Sequence, residues 1–223
     1  MAIKKHDFIQ IDYTAKTEGI VFDTTIEKVA KEHKLDTEKA KFKPLSICVG
    51  LGHVLQGLDQ KLEGMSIGKH TVSLKADEAF GKKSSKLLKL MPMSLFKKKQ
   101  IQPYVGLELN IDDKLGRVRS VSGGRVIVDF NHPLAGKDIE YDLEIVSVIE
   151  DPKEKINVML NIMRLQTKSI EIKDKKASIT IEFDIPKQYL DMLSSQISEV
   201  TGLEIEFKVN KKEDKNKSSD NKK

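Results

Sequence analysis

The chain has 223 residues, of which 39% are hydrophobic and 33% charged, and 39 Lys and Arg against 34 Asp and Glu give it a formal net charge of +5. This composition excludes collagen-like, coiled-coil and wholly disordered proteins, and the length suits one large domain or two smaller ones. No apolar run approaches the length of a membrane span, and the first residues lack the apolar stretch of a signal peptide, so we expect a cytoplasmic protein without a membrane partner.

Most cofactor and metal chemistry lacks its usual residues in this chain. The single cysteine, Cys48, cannot form an internal disulfide or a thiolate cluster and is expected to be a small buried hydrophobic residue. The five histidines show no i, i+4 pair, and neither a phosphate-binding loop nor a dinucleotide fingerprint is present. We therefore expect no metal and no cofactor. Residue order alone does not exclude a Ser–His–Asp triad, but nothing resembles a nucleophile elbow.

The first 81 residues are dominated by short segments that alternate apolar and polar side chains. Such alternation over residues 9–15, 45–49 and 71–74, and again over 139–149, predicts an antiparallel sheet with one wet, acidic face. Between these strands, Thr24 and Glu27 have the spacing of a capping box and predict a short helix. A second short helix is predicted around Leu58 and Leu62.

Residues 82–130 differ from their surroundings in charge and composition. They carry 11 basic and 4 acidic side chains and end in a predicted hairpin over 118–128, whose Gly123-Gly124 pair supplies the positive φ of a tight turn. Because the flanking segments belong to one predicted sheet, we interpret residues 82–130 as a small β-rich domain inserted into a loop.

A new unit begins near residue 152. Asp151-Pro152-Lys153-Glu154 has the pattern of a helix start, strands are predicted over 169–172 and 177–183, a second helix begins at Pro186, and a last strand covers 203–209. Residues 152–209 are thus predicted to form an α-β-β-α-β domain. Residues 210–223 contain no apolar side chain and are predicted to be a disordered basic tail.

The net charge is distributed unevenly over these pieces. Residues 1–81 carry 12 basic and 12 acidic side chains and residues 131–151 carry 1 and 6, so the two together have a net charge of −5, against +7 for residues 82–130. Residues 152–209 are neutral and the tail has +3. We hypothesise that the charge difference helps the two units to dock and steers acidic unfolded chains.

Four short strings then occur in a distinctive order, between Tyr13 upstream and Tyr141 downstream. They are Val21-Phe22-Asp23-Thr24-Thr25, residues 50–68, Ala79-Phe80-Gly81 and Asn131-His132-Pro133-Leu134-Ala135-Gly136. In this order they resemble the FKBP-type peptidyl-prolyl cis–trans isomerases, and most closely the SlyD-like group and its long archaeal relatives, which carry an insert-in-flap domain. The resemblance implies an α+β fold: a bent antiparallel sheet wrapped around a short helix, with an inserted flap domain over 82–130 and a C-terminal α-β-β-α-β domain.

The resemblance also implies an active-site pocket, and the family catalyses prolyl isomerisation without covalent chemistry or a cofactor. The residues implied to line or border the pocket are Tyr13, Phe22, Asp23, Val54, Leu55, Leu58, Phe80, Leu134 and Tyr141. Two of them depart from the small eukaryotic members, which have tryptophan where this chain has Leu58 and tyrosine where it has Phe80. The missing hydroxyl at Phe80 implies slower turnover than in a tyrosine-bearing relative. His132 is expected to serve a turn rather than catalysis.

In SlyD-like proteins the inserted domain binds unfolded polypeptide, and flexible apolar side chains suit that role. The implied binding residues are Leu87, Leu88, Met91, Met93, Leu95 and Phe96; the alternative is that they form only the insert's own small core. The expected partners are unfolded or nascent proline-containing chains, with the ribosome and a homodimer through residues 152–209 left open. A non-catalytic holdase is one alternative function. A ribosome- or RNA-binding protein that uses the basic insert is another.

Overall fold

The computed structural model describes residues 2–37, 42–182 and 185–209. Within them the strands are β1 (Phe8–Thr17), β2 (Ile20–Thr24), β3 (Leu45–Cys48), β4 (Gly68–Leu74), β5 (Leu88–Pro92), β6 (Glu108–Ile111), β7 (Lys114–Ser122), β8 (Arg125–Asp129), β9 (Ile139–Val148), β10 (Thr167–Lys173), β11 (Lys176–Ile181) and β12 (Glu204–Val209). The α-helices are α1 (Glu27–Glu32), α2 (Gln56–Leu62), α3 (Met93–Lys98), α4 (Pro152–Ile162) and α5 (Lys187–Thr201). No helix in these ranges is both long and apolar enough to cross a membrane.

The first sheet is antiparallel, as its alternating segments predict. Strand β1 is long enough to pair with two short strands along the same edge. The first residues of β1 pair with β3, and its last residues pair with β2. Strand β9 pairs along the other edge of β1, and β4 completes the sheet on the far side of β9. Register shifts in β1 at Gln10/Ile11 and at Ala15/Lys16 add local twist, which helps the sheet to curve.

The two faces of this sheet differ as the β9 sequence predicts. Ile139, Tyr141, Leu143 and Ile145 are buried, whereas the acidic residues between them are exposed. Lys16 on β1 forms ion pairs with two of these exposed carboxylates, on Glu140 and Asp142. The acidic face is therefore solvated and partly neutralised.

The buried face packs against α2. Leu58 and Leu62 of this helix join Ile9, Ile11 and Ile145 of the sheet in one apolar cluster, and each of these side chains is at most 1% exposed. The helix has an apolar stripe because Leu58 and Leu62 are four residues apart and share one face. This sheet and helix form the frame of the candidate site.

A second antiparallel sheet, in the order β5-β8-β7-β6, lies between β4 and β9 in the chain. The turn between β7 and β8 has Gly123 at φ 55° and Gly124 at φ 75°, so the hairpin predicted there is confirmed. Phe96 of α3 packs with Val118, Val126 and Val128 to form a separate small core.

The third unit has the predicted order of elements: α4, β10, β11, α5 and β12. Asp151 caps α4, because its carboxylate accepts a hydrogen bond from the Glu154 N–H at 3.1 Å. Strands β11 and β12 run parallel and are connected through α5. Phe8 and Cys48 of the first sheet lie in the same apolar cluster as α4, so this unit packs on the first sheet. Phe183 and residues 210–223 lie outside the described residues.

The capping box predicted at Thr24 and Glu27 is wrong. Thr24 is the last residue of β2, its hydroxyl donates to the Tyr13 carbonyl at 2.8 Å, and it accepts from the Ile26 N–H. Helix α1 begins at Glu27 with Ile26 as its N-cap, and no side chain caps it. Pairing of the Thr24 strand with β1 therefore outweighs the local capping pattern.

Candidate active site

The residues implied to form the pocket come from six separate segments, and the fold brings them together. Tyr13 lies on β1, Phe22 and Asp23 on β2, and Tyr141 on β9. The others are on α2, before it, or in the loops that follow β4 and precede β9. Eight of the nine belong to the apolar cluster between the sheet and α2: Tyr13, Phe22, Val54, Leu55, Leu58, Phe80, Leu134 and Tyr141. Asp23, the ninth, is exposed at the rim.

Three strands align a row of residues across this pocket. Ala15 on β1 lies opposite Asp23 on one side and Tyr141 on the other. Directly paired residues project from the same face of a sheet, so the Asp23 carboxylate and the Tyr141 ring flank the small Ala15 side chain. A methyl group at this position leaves space above the sheet between two larger side chains.

A hydrogen bond and an edge-to-face ring contact fix the orientations of Tyr13 and Tyr141. The Tyr13 hydroxyl donates to Asp23 Oδ2 at 2.8 Å, and the Tyr13 and Tyr141 rings meet edge to face at 5.7 Å between centroids. Burial, reinforced by the Asp23 carboxylate, raises the pKa of both phenols, that of Tyr141 to about 12. No described residue hydrogen-bonds to the Tyr141 hydroxyl. Both phenols are therefore neutral at physiological pH, and the Tyr141 hydroxyl remains available as a donor.

A second set of aromatic rings, on Phe22, Phe80 and His132, borders the other side of the pocket. Phe22 and Phe80 meet edge to face at 6.3 Å, and the His132 ring stacks on Phe80 at 4.3 Å with 4° between the planes. His132 Nδ1 also accepts from the Leu134 N–H at 3.1 Å, so the expected turn role is present. The stacking on Phe80 had no signal in the sequence, because the two residues are 52 positions apart.

The loop before α2 presents a free backbone donor. Leu55 is the N-cap of this helix, and no described residue accepts a hydrogen bond from its N–H. Asp59, on the next turn, is 5% exposed and accepts from the Gly50 and Gly52 N–H groups at 2.8 Å each. Asp59 thus holds the loop that carries Val54 and Leu55.

A close backbone approach joins α2 to the segment that carries Phe80. The Gly57 N–H donates to the Glu78 carbonyl at 3.1 Å, and a Cβ at position 57 would lie 2.5 Å from that oxygen. Only glycine fits this contact. Sequence reasoning did not single out Asp59 or Gly57, although both lie in the string of residues 50–68 that carries the resemblance.

The six apolar residues implied to bind unfolded chain lie in different environments. Leu87 and Leu88 are 41% and 42% exposed, whereas Met91, Met93 and Leu95 are partly buried. Phe96 is 1% exposed and forms the centre of the small core, so it contributes no accessible surface. Leu90, in the same stretch, is 60% exposed, so the exposed apolar surface here consists of Leu87, Leu88 and Leu90. Among the described residues, no group of three His, Cys, Asp or Glu side chains is placed to hold a metal ion.

Two protein families match the chain in overlapping parts. Residues 1–97 match the FKBP-type peptidyl-prolyl cis–trans isomerase family, and residues 89–134 match the IF domain of FKBP26. The second match covers most of the four-stranded sheet between β4 and β9. Together the two matches cover residues 1–134, which include β1 to β4, α2 and the pocket residues from Tyr13 to Leu134, whereas β9 with Tyr141 lies beyond them.

Curated relatives agree with these matches. The short-type peptidyl-prolyl cis–trans isomerase of Methanocaldococcus jannaschii is 30% identical over 147 residues, which are 66% of this chain and 94% of the relative. The 16 kDa FKBP-type isomerase of Escherichia coli K12 is 32% identical over 112 residues, 48% of this chain and 74% of the relative. SlyD of Haemophilus influenzae is 26% identical over 162 residues, 70% of this chain and 77% of the relative.

The family matches and the relatives define the class of this protein as a peptidyl-prolyl cis–trans isomerase. The chain belongs to the family of FKBP-type peptidyl-prolyl cis–trans isomerases. Its organisation fits the long, SlyD-like type within that family.

Proposed function

We propose that the pocket between the first sheet and α2 is the active site, and that Tyr13, Phe22, Asp23, Val54, Leu55, Leu58, Phe80, Leu134 and Tyr141 form or support it. The observation that carries this proposal is the convergence of eight apolar side chains from six segments, with a backbone N–H and a hydroxyl that no described residue engages. Leu58 is 1% exposed and supports the floor from below. The other residues form the walls and the rim.

Such a pocket can accelerate X–Pro isomerisation without covalent chemistry. The barrier of about 18–20 kcal/mol comes from lost amide resonance, and the planar amide is stabilised by water more than the twisted one. An apolar pocket removes that water and favours the twisted geometry. A thousandfold acceleration needs only about 4 kcal/mol of such preference.

Two donors are suited to hold the substrate. The Leu55 N–H can donate to a substrate carbonyl, and the Tyr141 hydroxyl can donate to a second acceptor as the amide twists. Asp23 is engaged by the Tyr13 hydroxyl at 2.8 Å, so its carboxylate has a fixed orientation at the rim. These groups supply one or two hydrogen bonds, and apolar packing supplies the remaining stabilisation of the twisted amide.

The site is tested by turnover on short proline peptides. We expect the intact protein to accelerate isomerisation, and the double variant Asp23→Ala with Tyr141→Ala to lose most of that acceleration. The matched control replaces two residues outside the pocket, Asp77 and Tyr189, by alanine and should retain full activity. Full activity in the Asp23 and Tyr141 double variant would place catalysis elsewhere.

We further propose that residues 82–130 form an inserted chaperone domain that binds unfolded polypeptide and delivers it to the pocket. Residues 1–81 and 131–151 would then form the isomerase domain, with residues 152–209 as a separate C-terminal domain. Support comes from the separate small core around Phe96 and from the exposed Leu87 and Leu88. A linked second site raises the local concentration of substrate at the pocket.

The chaperone role is tested with Leu87→Ser and Leu88→Ser together. Because both side chains are exposed, the protein should fold normally, keep its turnover on short peptides and lose most of its acceleration of a proline-limited refolding reaction. The control double variant, Ile20→Ser with Ile67→Ser, replaces exposed apolar residues of the first unit, 65% and 52% exposed, and should leave refolding unchanged. Equal loss on peptides and on refolding would mean that these leucines only support the pocket. Ribosome contact and a homodimer through residues 152–209 stay predictions.

A further inference from the structure

The ring of His53 folds back onto the strand that precedes it. The residue lies in the loop before α2, residues 49–55, and its Nδ1 accepts a hydrogen bond from the Cys48 N–H at 3.0 Å. A backbone N–H can only donate, so Nδ1 carries a lone pair and the ring proton is on Nε2. This contact requires a neutral imidazole, because both nitrogens of a protonated ring are donors.

Two side chains hold this loop. His53 accepts from the Cys48 N–H. The buried Asp59 carboxylate accepts from the Gly50 and Gly52 N–H groups at 2.8 Å each. Every second N–H from residue 48 to residue 52 thus donates to one of these two side chains. Gly50 and Gly52 have φ values of 86° and 69°, so the chain turns here, and the side-chain acceptors replace the partners that a sheet would supply.

Cys48 is a rigid anchor for the His53 ring. It is the last residue of β3, pairs with Phe8 of β1 and is 0% exposed. Its side chain lies in the apolar cluster that joins the first sheet to α4. Val54 and Leu55, which directly follow His53, pack against the cluster of the pocket. The hydrogen bond therefore ties two residues of the pocket wall to a buried strand.

The surroundings of His53 favour its neutral form. Burial lowers the pKa of the imidazole below its ordinary value, and the Asp59 carboxylate only partly opposes this change. The other charged side chains near this contact are Asp7 and Lys155, which act at Cys48, and Lys5, whose alkyl chain lies against Gly50. An ordinary histidine titrates near pH 6.5, so His53 is neutral at physiological pH and gains a proton only in more acidic solution.

We propose that His53 is a positioning residue of the isomerase: its neutral imidazole holds the loop that presents Val54 and the Leu55 N–H to the substrate, and protonation of the ring releases that loop. This inference rests on the proposed location of the active site. A protonated ring offers only donors, so the Cys48 N–H loses its acceptor and faces a second N–H. Isomerisation should therefore slow reversibly in mild acid, above the pH at which exposed carboxylates titrate.

The test is the pH dependence of kcat/KM on a short proline peptide between pH 8 and pH 5, in an assay that needs no protease. Misplacement of the Leu55 donor should lower kcat/KM about two- to tenfold toward pH 5. His53→Asn supplies an acceptor, Oδ1, that is attached to Cγ like Nδ1 and does not titrate. It should retain most of the activity at pH 8 and lose the fall in acid. His53→Leu has bulk but no acceptor and should show the low rate already at pH 8.

His132→Asn is the matched control, because the His132 ring stacks on Phe80 of the pocket and its Nδ1 also accepts from a backbone N–H. It should retain the fall in acid, whatever its rate at pH 8. His33→Asn, at the exposed end of α1, should leave the profile unchanged.

Three results would overturn the positioning role alone: a fall in acid that persists in His53→Asn, a fall that disappears in His132→Asn, or a flat profile in an active unmodified protein. A ring with a purely structural role would change stability on replacement but not the shape of the profile. Inactivity of the unmodified protein at every pH would instead overturn the proposed active site, and the positioning role with it.

Discussion

The Tyr141 hydroxyl is a candidate donor in a pocket where Phe80 has none. Replacing Tyr141 by phenylalanine retains the ring and its edge contact with Tyr13, and removes only the hydroxyl. One neutral hydrogen bond contributes about 0.5–1.5 kcal/mol, so we expect kcat/KM on a short peptide to fall roughly two- to tenfold without loss of stability. Tyr189→Phe, on α5, should leave kcat/KM unchanged. An unaltered rate in Tyr141→Phe would assign that hydroxyl no role.

The raised phenol pKa values predict alkaline instability. An unfolded tyrosine titrates near pH 10, whereas burial and Asp23 raise the pKa of folded Tyr141 to about 12. The folded state therefore binds the proton more tightly, and this contribution to stability is complete below about pH 10 and lost as the pH rises toward 12. Urea unfolding at pH 8, 10 and 11 should show this loss. Tyr141→Phe should reduce it, and the same loss in both proteins would contradict the assignment.

Asp59 is expected to affect catalysis without contacting substrate. Its carboxylate holds the Gly50 and Gly52 N–H groups, and hydrogen bonds to a charged group contribute about 1.5–3 kcal/mol. Asp59→Ala should lower the free energy of unfolding by about that amount and reduce kcat/KM, because the loop that carries Leu55 loses its anchor. Asp77→Ala, at an exposed ion pair, should change neither quantity. Normal stability in Asp59→Ala would show that water replaces the carboxylate.

At the scale of elements, the packing of α2 against the loop after β4 depends on one close backbone contact. Glycine to alanine in a helix normally stabilises by up to about 1 kcal/mol, but at Gly57 the new Cβ would meet the Glu78 carbonyl at 2.5 Å. We expect Gly57→Ala to destabilise the protein by about 1–3 kcal/mol and to lower kcat/KM, since Phe80 must move with Glu78. Thermal unfolding would measure the change in stability, and peptide turnover would measure the change in kcat/KM.

The control for this helix is Gln60→Ala. Gln60 is exposed on α2, so the same gain in helix propensity meets no obstacle and stability should stay equal or rise. A stabilising effect of Gly57→Ala would mean that α2 can move away from the loop that carries Phe80 without a loss of stability. The close approach would then not be what positions Phe80.

At the scale of the whole molecule, the charge difference between the units should affect clients more than peptides. Residues 82–130 have a net charge of +7, against −5 for residues 1–81 with 131–151. The screening length falls from about 10 Å at 0.1 M salt to about 3 Å at 1 M. Over this range, we expect the acceleration of refolding of an acidic client to fall several-fold, while turnover of a short neutral peptide remains constant. Equal salt dependence of both reactions would remove any role for charge in delivery.

Short sequence patterns predicted the parts of this protein that depend on neighbouring residues. Alternation predicted the strands of the first sheet and its acidic face, Asp151 predicted the start of α4, and Gly123-Gly124 predicted the hairpin of the second sheet, because each depends on contacts within a few residues. The order of four strings also led to the family. The pocket residues followed only from that resemblance, since no periodicity relates Tyr13 to Phe80.

The contacts between distant segments followed from the folded structure alone. It placed His132 on Phe80, tied Asp59 to the loop before Leu55, buried Phe96, and ended β2 at Thr24 where a helix cap was predicted. The physical reason is the same in each case. A side chain's burial and hydrogen-bond partners depend on which distant strands and loops pack against it, and packing energy exceeds the local preferences that a short sequence pattern expresses.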